Sequence, residues 1–557
     1  MSQQAPMTTA EAAVETLIAH GIDTVYAIPG VQNDLLFDAL YGAKDRIRVV
    51  NPRHEQAAAY MAMGAAMATG RPQVCAAVPG PGFLNASSAL LTSYSVGAPV
   101  LMLAGQIPQA EIDRGHGHLH ELYDQKGIAA HFSRSVGRIS APQDSSRMVA
   151  EALRTAQSGR KGPAFLECAL DVWGKRALVG DIVGPLPIPR APVDPTALEA
   201  AAKLLASAKK PLIIVGGGAL GASPEVTALA EMLEAPVGAY RRGQGVVGHS
   251  HRLNVPLPVA RRFWGEADAV LAIGTRLHLQ QTNWGVDENL KVVRIDIDPE
   301  EPDRLRKASV ALVGDAKDYC AALLAELPKH NGARPSRQTE LDTHRAFFAE
   351  RIARLEPQLG FLKAIRAALP ADSIFVDEVT QIGFASRVAY PVEKPYTYLS
   401  PGYQDNLGWG VGTALGAQAA CPDRQVLLVT GDGGFMYQVG ELATAVQHKL
   451  PLIIVVFDNA MYGNVKRIQQ EKYNNRVIAS DLVNPDFGKL ATAFGMTTYR
   501  AEDAPQLERA IREAVQKREP TLIHVPCGTM PAPWDMILMP PIRGPLAAQQ
   551  PSQGKAP

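Results

Sequence analysis

The residues best suited to chemistry are an acid and an amide that each follow a strongly apolar run. Asp432 stands in the sequence GDGG (431–434) directly after one such run, and Asn459 follows the next. If the two runs are neighbouring parallel strands, a carboxylate and an amide oxygen meet beside glycines that leave room for a phosphate. Such oxygens suit Mg²⁺. Each sequence alone is an ordinary turn or strand end, and only the pairing indicates a site.

A second acid, Glu55, begins a segment made almost wholly of Ala, Met and Gly. A helix of this composition is predicted to be buried on every side, where a carboxylate is rare. The structural alternative is an acid placed at a helix N-terminus because the helix dipole favours it there. Glu55 is therefore a candidate for proton transfer.

Composition excludes several classes of partner. The 557 residues carry 55 Lys and Arg against 55 Asp and Glu, so no basic excess indicates nucleic acid or an anionic membrane. The longest apolar runs, such as residues 450–457, fall short of the roughly 18 residues that a membrane span needs. We expect a small-molecule partner.

The cysteines and the N-terminus bear on the compartment. The five cysteines never form a C-x-x-C pair, and most lie in apolar runs, as reduced buried thiols do. The first fifteen residues lack a positive segment followed by an apolar core, so no secretory signal is predicted. Both features favour the cytoplasm.

Short β-branched runs alternate with helical patterns along the chain, which is typical of parallel sheets covered by helices. Thr8 and Glu11 form a predicted capping box for the first helix. The predicted strands lie at residues 24–30, 73–80, 100–105, 164–170, 211–218, 235–240, 267–274, 291–298, 310–315, 373–379, 425–433, 450–459 and 521–526. The pattern predicts three doubly wound α/β blocks.

Two polar or proline-rich stretches divide the blocks. Residues 184–195 contain five prolines and are predicted to be a linker, and residues 328–340 form a second break. The predicted domains are 1–183, 190–328 and 341–545, and residues 546–557 are predicted to form a disordered tail.

The spacing of the GDGG sequence and Asn459 resembles the thiamine diphosphate fingerprint. Over about residues 8–530 the chain is similar to the acetolactate synthase and benzaldehyde lyase branch of that superfamily. The resemblance implies pyrimidine-binding, central and diphosphate-binding domains in that order. It also implies that Asp432, Asn459 and the carbonyl of Met461 bind Mg²⁺.

The resemblance assigns further roles. Glu55 would share a proton with N1′ of the cofactor's pyrimidine, and Leu407 would be the apolar wedge that bends the cofactor. Asp405 stands where a glycine is usual, and this departure could narrow or charge the pocket. The residues placed against the cofactor are Pro29, Glu55, Asn85, Thr380, Gln381, Asp405, Leu407, Gly431, Asp432, Gly433, Gly434, Asn459, Met461, Tyr462 and Gly463.

Two residues are expected on the substrate side. His120 falls where relatives carry a glutamine that contacts the substrate carbonyl, and Gln32 falls where benzaldehyde lyase-like enzymes have a histidine. The structural alternative is that both are polar loop residues. With Glu55 and Leu407, this pair completes the predicted catalytic set.

Two weaker patterns suggest other ligands. Residues 216–221 form a glycine run that could bind a dinucleotide, so an NAD-dependent dehydrogenase is the nearest rival, while relatives bind FAD, ADP or nothing there. FAD is not favoured. His116, His118, His120 and Glu121 crowd one loop, but alternate histidines would converge only on a strand, and no distant fourth ligand has a zinc spacing.

The sequence therefore predicts a thiamine diphosphate- and Mg²⁺-dependent carboligase or lyase acting on 2-oxo acids or 2-hydroxy ketones, most similar to acetolactate synthase. Alternatives are a benzaldehyde lyase-like or 2-hydroxyacyl-CoA lyase-like enzyme, a 2-oxo acid decarboxylase and an idle cofactor-binding subunit. Because relatives build the site from two subunits, the resemblance implies at least a homodimer and favours a homotetramer.

Overall fold

The computed structural model describes residues 6–548, and the last nine residues of the predicted tail lie outside this range. Within it, the strands form three six-stranded parallel sheets and one two-stranded antiparallel ribbon. The prediction of three doubly wound α/β blocks is confirmed. No helix in this part of the chain is long and apolar enough to cross a membrane.

The N-terminal block begins with the predicted capping box, in which Thr8 and Glu11 cap each other's backbone. The strands are β1 (Met7–Thr8), β2 (Thr24–Ala27), β3 (Arg48–Val50), β4 (Gln73–Ala77), β5 (Val100–Gln106), β6 (Ser135–Ile139), β7 (Ala164–Ala169) and β8 (Arg176–Ala177). The helices are α1 (Thr9–Ala19), α2 (Asp34–Gly42), α3 (Glu55–Thr69), α4 (Pro81–Val96), α5 (Gln125–Ala130), α6 (Pro142–Gln157) and α7 (Leu170–Trp173). The sheet order is β3-β2-β4-β5-β7-β6, and β1 pairs with β8.

The central block has a different strand order, β11-β10-β9-β12-β13-β14, which is the order of dinucleotide-binding sheets. Its strands are β9 (Pro211–Val215), β10 (Val237–Ala239), β11 (Asn254–Val255), β12 (Ala269–Ile273), β13 (Lys291–Asp296) and β14 (Val310–Val313). Its helices are α8 (Pro195–Ser207), α9 (Ser223–Leu233), α10 (Leu257–Glu266) and α11 (Ala316–Glu326).

The C-terminal block repeats the strand order of the first, as β16-β15-β17-β18-β20-β19. Its strands are β15 (Ile374–Asp377), β16 (Tyr398–Leu399), β17 (Val426–Gly431), β18 (Ile453–Asp458), β19 (Thr497–Arg500) and β20 (Thr521–Pro526). Its helices are α12 (Gln338–Ile352), α13 (Gln358–Ala368), α14 (Gln381–Ala389), α15 (Gly410–Ala420), α16 (Asp432–Phe435), α17 (Leu442–Gln447), α18 (Gly463–Lys472), α19 (Phe487–Phe494), α20 (Ala504–Lys517), α21 (Trp534–Ile537) and α22 (Pro545–Ala548).

Helices α3 and α15 join the N-terminal and C-terminal blocks by crossing at van der Waals distance. A Cβ on Gly64 would lie 2.0 Å from the carbonyl oxygen of Thr413, and one on Gly416 would lie 1.9 Å from that of Met61. Both helices are buried along nearly their whole length, and one apolar core contains side chains from both sheets. Only glycine permits this approach of backbone to backbone.

We expect Gly416→Ala to lower the free energy of unfolding by at least about 1–3 kcal/mol, because the added methyl group meets a backbone carbonyl that has no room to move. Urea denaturation of the apoprotein, followed by circular dichroism, measures the effect. The matched control is Gly42→Ala at the end of α2, where a Cβ would meet nothing within 4 Å. Equal stability of Gly416→Ala and wild type would contradict the close crossing.

Candidate functional site

Three helices of the C-terminal block begin where three neighbouring strands end. Helix α14 follows β15, α16 follows β17 and α18 follows β18, and the three strands lie side by side in the sheet. The N-terminus of a helix has unpaired N–H groups and a partial positive charge, so it attracts anions. This edge of the sheet is therefore suited to a diphosphate.

The predicted GDGG sequence lines this edge with bare backbone. A Cβ on Gly433 would lie 2.5 Å from Cε1 of Tyr462, and one on Gly431 would lie 3.2 Å from Oγ1 of Thr380. Side chains at these glycines would fill the space between the strand ends. The structure thus brings together Thr380, the glycine run and Tyr462, as the sequence predicted.

Asp432 lies close to a second carboxylate, that of Asp458. Asn484 donates to Oδ2 of Asp432 at 2.7 Å and to Oδ1 of Asp458 at 2.8 Å. On the far side, Nε2 of His524 lies 3.0 Å from Oδ2 of Asp458. Burial raises the pKa of Asp432, and the charge of Asp458 adds to this effect, whereas the Asn484 hydrogen bond opposes it. A cation bound here would relieve the repulsion between the two carboxylates.

The remaining predicted metal ligands lie in the loop after β18. Asn459 and Met461 flank Ala460, whose backbone is left-handed with φ 54°. The loop is held by pairing of Met461 with Asp481 and by donation from the Tyr462 N–H to the Ser480 carbonyl at 2.8 Å. Gly463 begins α18 directly after this loop. Neighbouring strand ends therefore carry carboxylate, amide and carbonyl oxygens, and this donor set fits a hard divalent cation.

Gln381 begins α14, and its side chain is hydrogen-bonded within the protein. Its Nε2 donates to the Gly528 carbonyl at 3.2 Å, and its Oε1 accepts from the Met530 N–H at 2.6 Å. The side chain thus fastens the segment after β20 to the start of α14. Its contact with the cofactor stays a prediction.

Asp405 forms ion pairs with two arginines. Arg387, which is fully buried, donates to its carboxylate at 2.7 and 3.1 Å, and Arg241 of the central block donates at 2.8 Å. Burial disfavours the charged form of Asp405, but the two guanidinium groups outweigh burial and hold its pKa below the usual value. Leu407 lies in the same loop and is half-buried. The ion pairs therefore fix this loop to α14, which carries Arg387, and to the central block, which carries Arg241.

Sequence reasoning missed a buried acid beneath the same loop, Glu378. Its Oε1 accepts from the Gly408 N–H at 2.6 Å and lies 3.0 Å from the position of a Cβ on Gly434. Burial raises the pKa of Glu378 to about 7, although hydrogen bonds from Thr430 and Gly408 act in the opposite direction. A charged residue at the end of an apolar strand was the available signal.

The second half of the site lies on the N-terminal block. Asn85 of α4 donates to Oε2 of Glu55 at 3.0 Å. Glu55 is half-buried and Asn85 exposed, so the pair faces outward at the head of α3. Pro29 is exposed on the neighbouring loop. Nearby, Nε2 of Gln438 donates to Oε1 of Gln56 at 3.4 Å, and Oε1 of Gln438 accepts from the Gly412 N–H at 2.7 Å.

The structure also brings Gln32 and His120 together. Gln32 is 2% exposed; its Nε2 donates to the Leu119 carbonyl at 2.8 Å, and its Oε1 lies 3.2 Å from Nδ1 of His120. His120 has a left-handed backbone, and its carbonyl oxygen would lie 2.5 Å from a Cβ on Gly80, so that turn requires glycine. The two side chains therefore contact each other, whereas polar residues on separate surface loops would make no such contact.

Fold and site together are those of a thiamine diphosphate-dependent enzyme, and the comparisons agree. Residues 7–128, 198–323 and 378–525 match the N-terminal TPP binding, central and C-terminal TPP binding domains of thiamine pyrophosphate enzymes, TPP being thiamine diphosphate. The chain belongs to this family. The central segment, where the dehydrogenase alternative placed a dinucleotide, matches the same family.

Known relatives are similar over nearly the whole chain. The protein is 32% identical to a "Probable 2-ketoarginine decarboxylase" of Pseudomonas aeruginosa over 94% of this chain and 95% of that protein. It is 30% identical to a "Probable acetolactate synthase large subunit" of Methanocaldococcus jannaschii over 93% and 92% of the two chains. It is also 30% identical to the acetolactate synthase isozyme 2 large subunit of Escherichia coli, over 95% and 97%. The prediction of an acetolactate synthase-like thiamine diphosphate enzyme is confirmed.

We expect Glu378→Gln to remove a pH-dependent loss of stability. With a folded pKa of about 7 against an ordinary 4.5, the neutral form of Glu378 is favoured in the fold. The stabilisation of the fold that comes from the raised pKa of Glu378 is complete below pH 4.5 and is lost as pH rises through 7. Between pH 5.5 and 8.5 the variant should gain about 2 kcal/mol of unfolding free energy relative to wild type.

Urea denaturation of the apoprotein at several pH values measures this difference, and Glu350→Gln on the exposed face of α12 is the control. A constant difference between Glu378→Gln and wild type across this pH range would show that Glu378 does not titrate as described.

Proposed function

We propose that the protein is a thiamine diphosphate- and Mg²⁺-dependent carboligase or lyase that acts on 2-oxo acids or 2-hydroxy ketones. The observation that carries the proposal is that three helices begin at the ends of three neighbouring strands, where Asp432 and Asn459 also stand. A diphosphate with Mg²⁺ matches this arrangement of helix N-termini beside oxygen ligands.

Residues of both halves take part in cofactor binding in this proposal. Asp432, Asn459 and the carbonyl of Met461 would hold Mg²⁺, while Thr380, the glycine run and the start of α18 would hold the diphosphate. When bound, thiamine diphosphate supplies an electron sink for the bond next to a carbonyl. The protein supplies position, proton transfer and a site that excludes water.

Glu55 is the proposed proton-transfer residue toward the pyrimidine ring. The Asn85 amide holds one carboxylate oxygen at 3.0 Å, which leaves the other free to exchange a proton. Leu407, on the loop fixed by Asp405, would press on the cofactor from the opposite side.

We propose that the working unit is at least a homodimer, and a tetramer by the family resemblance. Glu55 and Asn85 face outward, and large apolar side chains near both halves are exposed. Leu84 and Leu91 of α4 and Met436 and Tyr437 after α16 belong to this exposed apolar surface. A second subunit would cover these residues.

The five unpaired cysteines support a reducing compartment such as the cytoplasm.

Asn484→Ala should weaken Mg²⁺ binding about 10–100-fold, because it removes the group that orients both carboxylates. Calorimetric titration of the apoprotein with Mg²⁺ in the presence of thiamine diphosphate measures the change. Asn289→Ala, on an exposed turn of the central block, is the matched control. An unaltered Mg²⁺ affinity in Asn484→Ala would place the metal elsewhere.

Glu55→Gln should retain cofactor binding but lower the rate of proton exchange at C2 of bound thiamine diphosphate about 10²–10⁴-fold. The amide keeps the shape and the Asn85 contact but has no exchangeable carboxyl proton. Deuterium exchange followed by nuclear magnetic resonance measures the rate, with Glu15→Gln on α1, where the side chain pairs with Arg46, as control. If exchange in Glu55→Gln proceeds at the wild-type rate, another residue transfers the proton.

Decarboxylation of a 2-oxo acid is the second candidate function, and the His120–Gln32 pair favours it. A histidine can donate a proton to a carbon centre left after loss of CO₂, which a glutamine cannot do. The relative named as a 2-ketoarginine decarboxylase suggests a guanidino 2-oxo acid as one substrate to try.

His120→Gln should shift the products from aldehydes toward condensation products, because the proposed proton donor is lost. Product analysis with pyruvate, 2-ketoarginine, benzoin and benzaldehyde offered together identifies the substrate and the ratio. His131→Gln, just beyond α5, is the control. An unchanged ratio would exclude His120 as the donor, and no product from any 2-oxo acid or 2-hydroxy ketone would exclude the proposed function.

A further inference from the structure

Two clusters in residues 6–548 bring three potential metal-ligand atoms within 4.8 Å of one another, and neither belongs to the cofactor site. One consists of Glu111, His116 and His118, and the other of Glu266, Glu340 and His344. The surroundings of the two clusters differ, and that difference decides which could take a cation.

The second cluster already holds cations of the protein itself. Lys210 lies 2.8 Å from Glu266, and Arg337 lies 2.7 Å from Glu340. Nε of Arg262 donates to Nδ1 of His344 at 2.8 Å. These three side chains neutralise the carboxylates and occupy the imidazole, so a metal ion would have to displace them.

Within residues 6–548, the first cluster has no ion pair with a lysine or arginine, and it opens to solvent. Oε2 of Glu111 lies 2.7 Å from Nδ1 of His116 and 3.5 Å from Nε2 of His118. The side chains are 28%, 55% and 36% exposed respectively. Ligand atoms of one tetrahedral metal ion lie about 3.3 Å apart, since each bond is about 2.0–2.1 Å long. The three atoms are thus close to a metal-binding arrangement.

The loop backbone explains why these alternate histidines converge without a strand. Gly115 and Gly117 have φ angles of 69° and 78°, so the chain curls between the histidines. Glu121 secures the curl by accepting from the N–H groups of Gly115, Gly117 and His118 at 2.6–3.0 Å. The expectation that only a strand could bring these histidines together is wrong, because left-handed glycines do so here.

We propose that Glu111, His116 and His118 bind one divalent transition-metal cation of the zinc class, with water completing its coordination. Two imidazoles and a carboxylate suit Zn²⁺, Co²⁺ or Ni²⁺ rather than Mg²⁺, which prefers oxygen ligands alone. The site is separate from the one proposed at Asp432 and does not rest on the proposed function.

Metal binding would restrict the loop that carries a substrate-side residue. His120 lies two positions after His118, and Leu119 between them accepts from Gln32 at 2.8 Å. A metal ion bound to Glu111, His116 and His118 would hold the loop immediately before Leu119 and His120. The site would then influence how His120 and Gln32 are held.

The test is a titration of the full-length protein, free of any histidine tag and saturated with thiamine diphosphate and Mg²⁺. Co²⁺ is the probe, followed by its visible absorption, and Zn²⁺ is used in calorimetry. We expect one equivalent to bind, and His118→Asn and His116→Asn each to weaken binding at least about ten-fold. His330→Asn is the matched control, since His330 also pairs with one glutamate, at 3.2 Å, and should leave binding unchanged.

A second readout tests the effect on the loop. Arg114 is exposed between the ligands, so trypsin should cut after it, and bound Zn²⁺ should slow this cut in wild type but not in His118→Asn. The proposal is overturned if wild type binds no second metal or if His116→Asn/His118→Asn binds as tightly as wild type. Binding without protection of Arg114 would overturn the proposed restriction of the loop.

Discussion

The contact on which the rest of the structure depends is the crossing of α3 and α15 through Gly64 and Gly416. Because each glycine meets a backbone carbonyl of the other helix, the distance between the two blocks is set by main chain, which side-chain rotamers cannot adjust. Glu55 begins one of these helices, and the loop of Leu407 leads directly into the other. The same packing therefore fixes a proposed proton-transfer residue and the proposed wedge.

Buried charges hold the wedge loop from its other side. Arg387 is fully buried and bridges Asp377 at 2.9 Å and Asp405 at 2.7 Å, while Arg241 brings the central block to the same carboxylate. Removing one partner from a buried ion pair costs about 3–5 kcal/mol, because the other charge is left uncompensated. These ion pairs hold the loop in one position, and Asp405 contributes by binding Arg387 and Arg241.

Periodicity predicted the interior of each six-stranded sheet but only one of the six edge strands, β14. Every predicted strand segment contains a strand, whereas the edge strands β3, β6, β11, β16 and β19 were missed, as were the short strands β1 and β8 of the ribbon. Edge strands are short and partly exposed, so they lack the continuous apolar run of a buried parallel strand. Asn484 was also missed, because its contact with Asp432 is not local in the sequence. It reaches Asp432 from a loop that only tertiary pairing with residues 460–462 brings near, and no local pattern records that contact.

The two ends of the site are held by different kinds of interaction. At the proposed diphosphate end, a shared amide bridges Asp432 and Asp458, and a backbone N–H donates to Glu378, so hydrogen bonds of the protein itself position these acids. At the substrate end, His120 and Gln32 depend on one loop with a left-handed backbone. A change of loop sequence can alter that end while leaving the strand ends intact. The chain is similar over nearly its whole length both to a relative named as an acetolactate synthase and to one named as a 2-ketoarginine decarboxylase. Within the proposed function, the loop around His120 is therefore the place where a change of sequence would alter the reaction and leave the cofactor-binding strand ends unchanged.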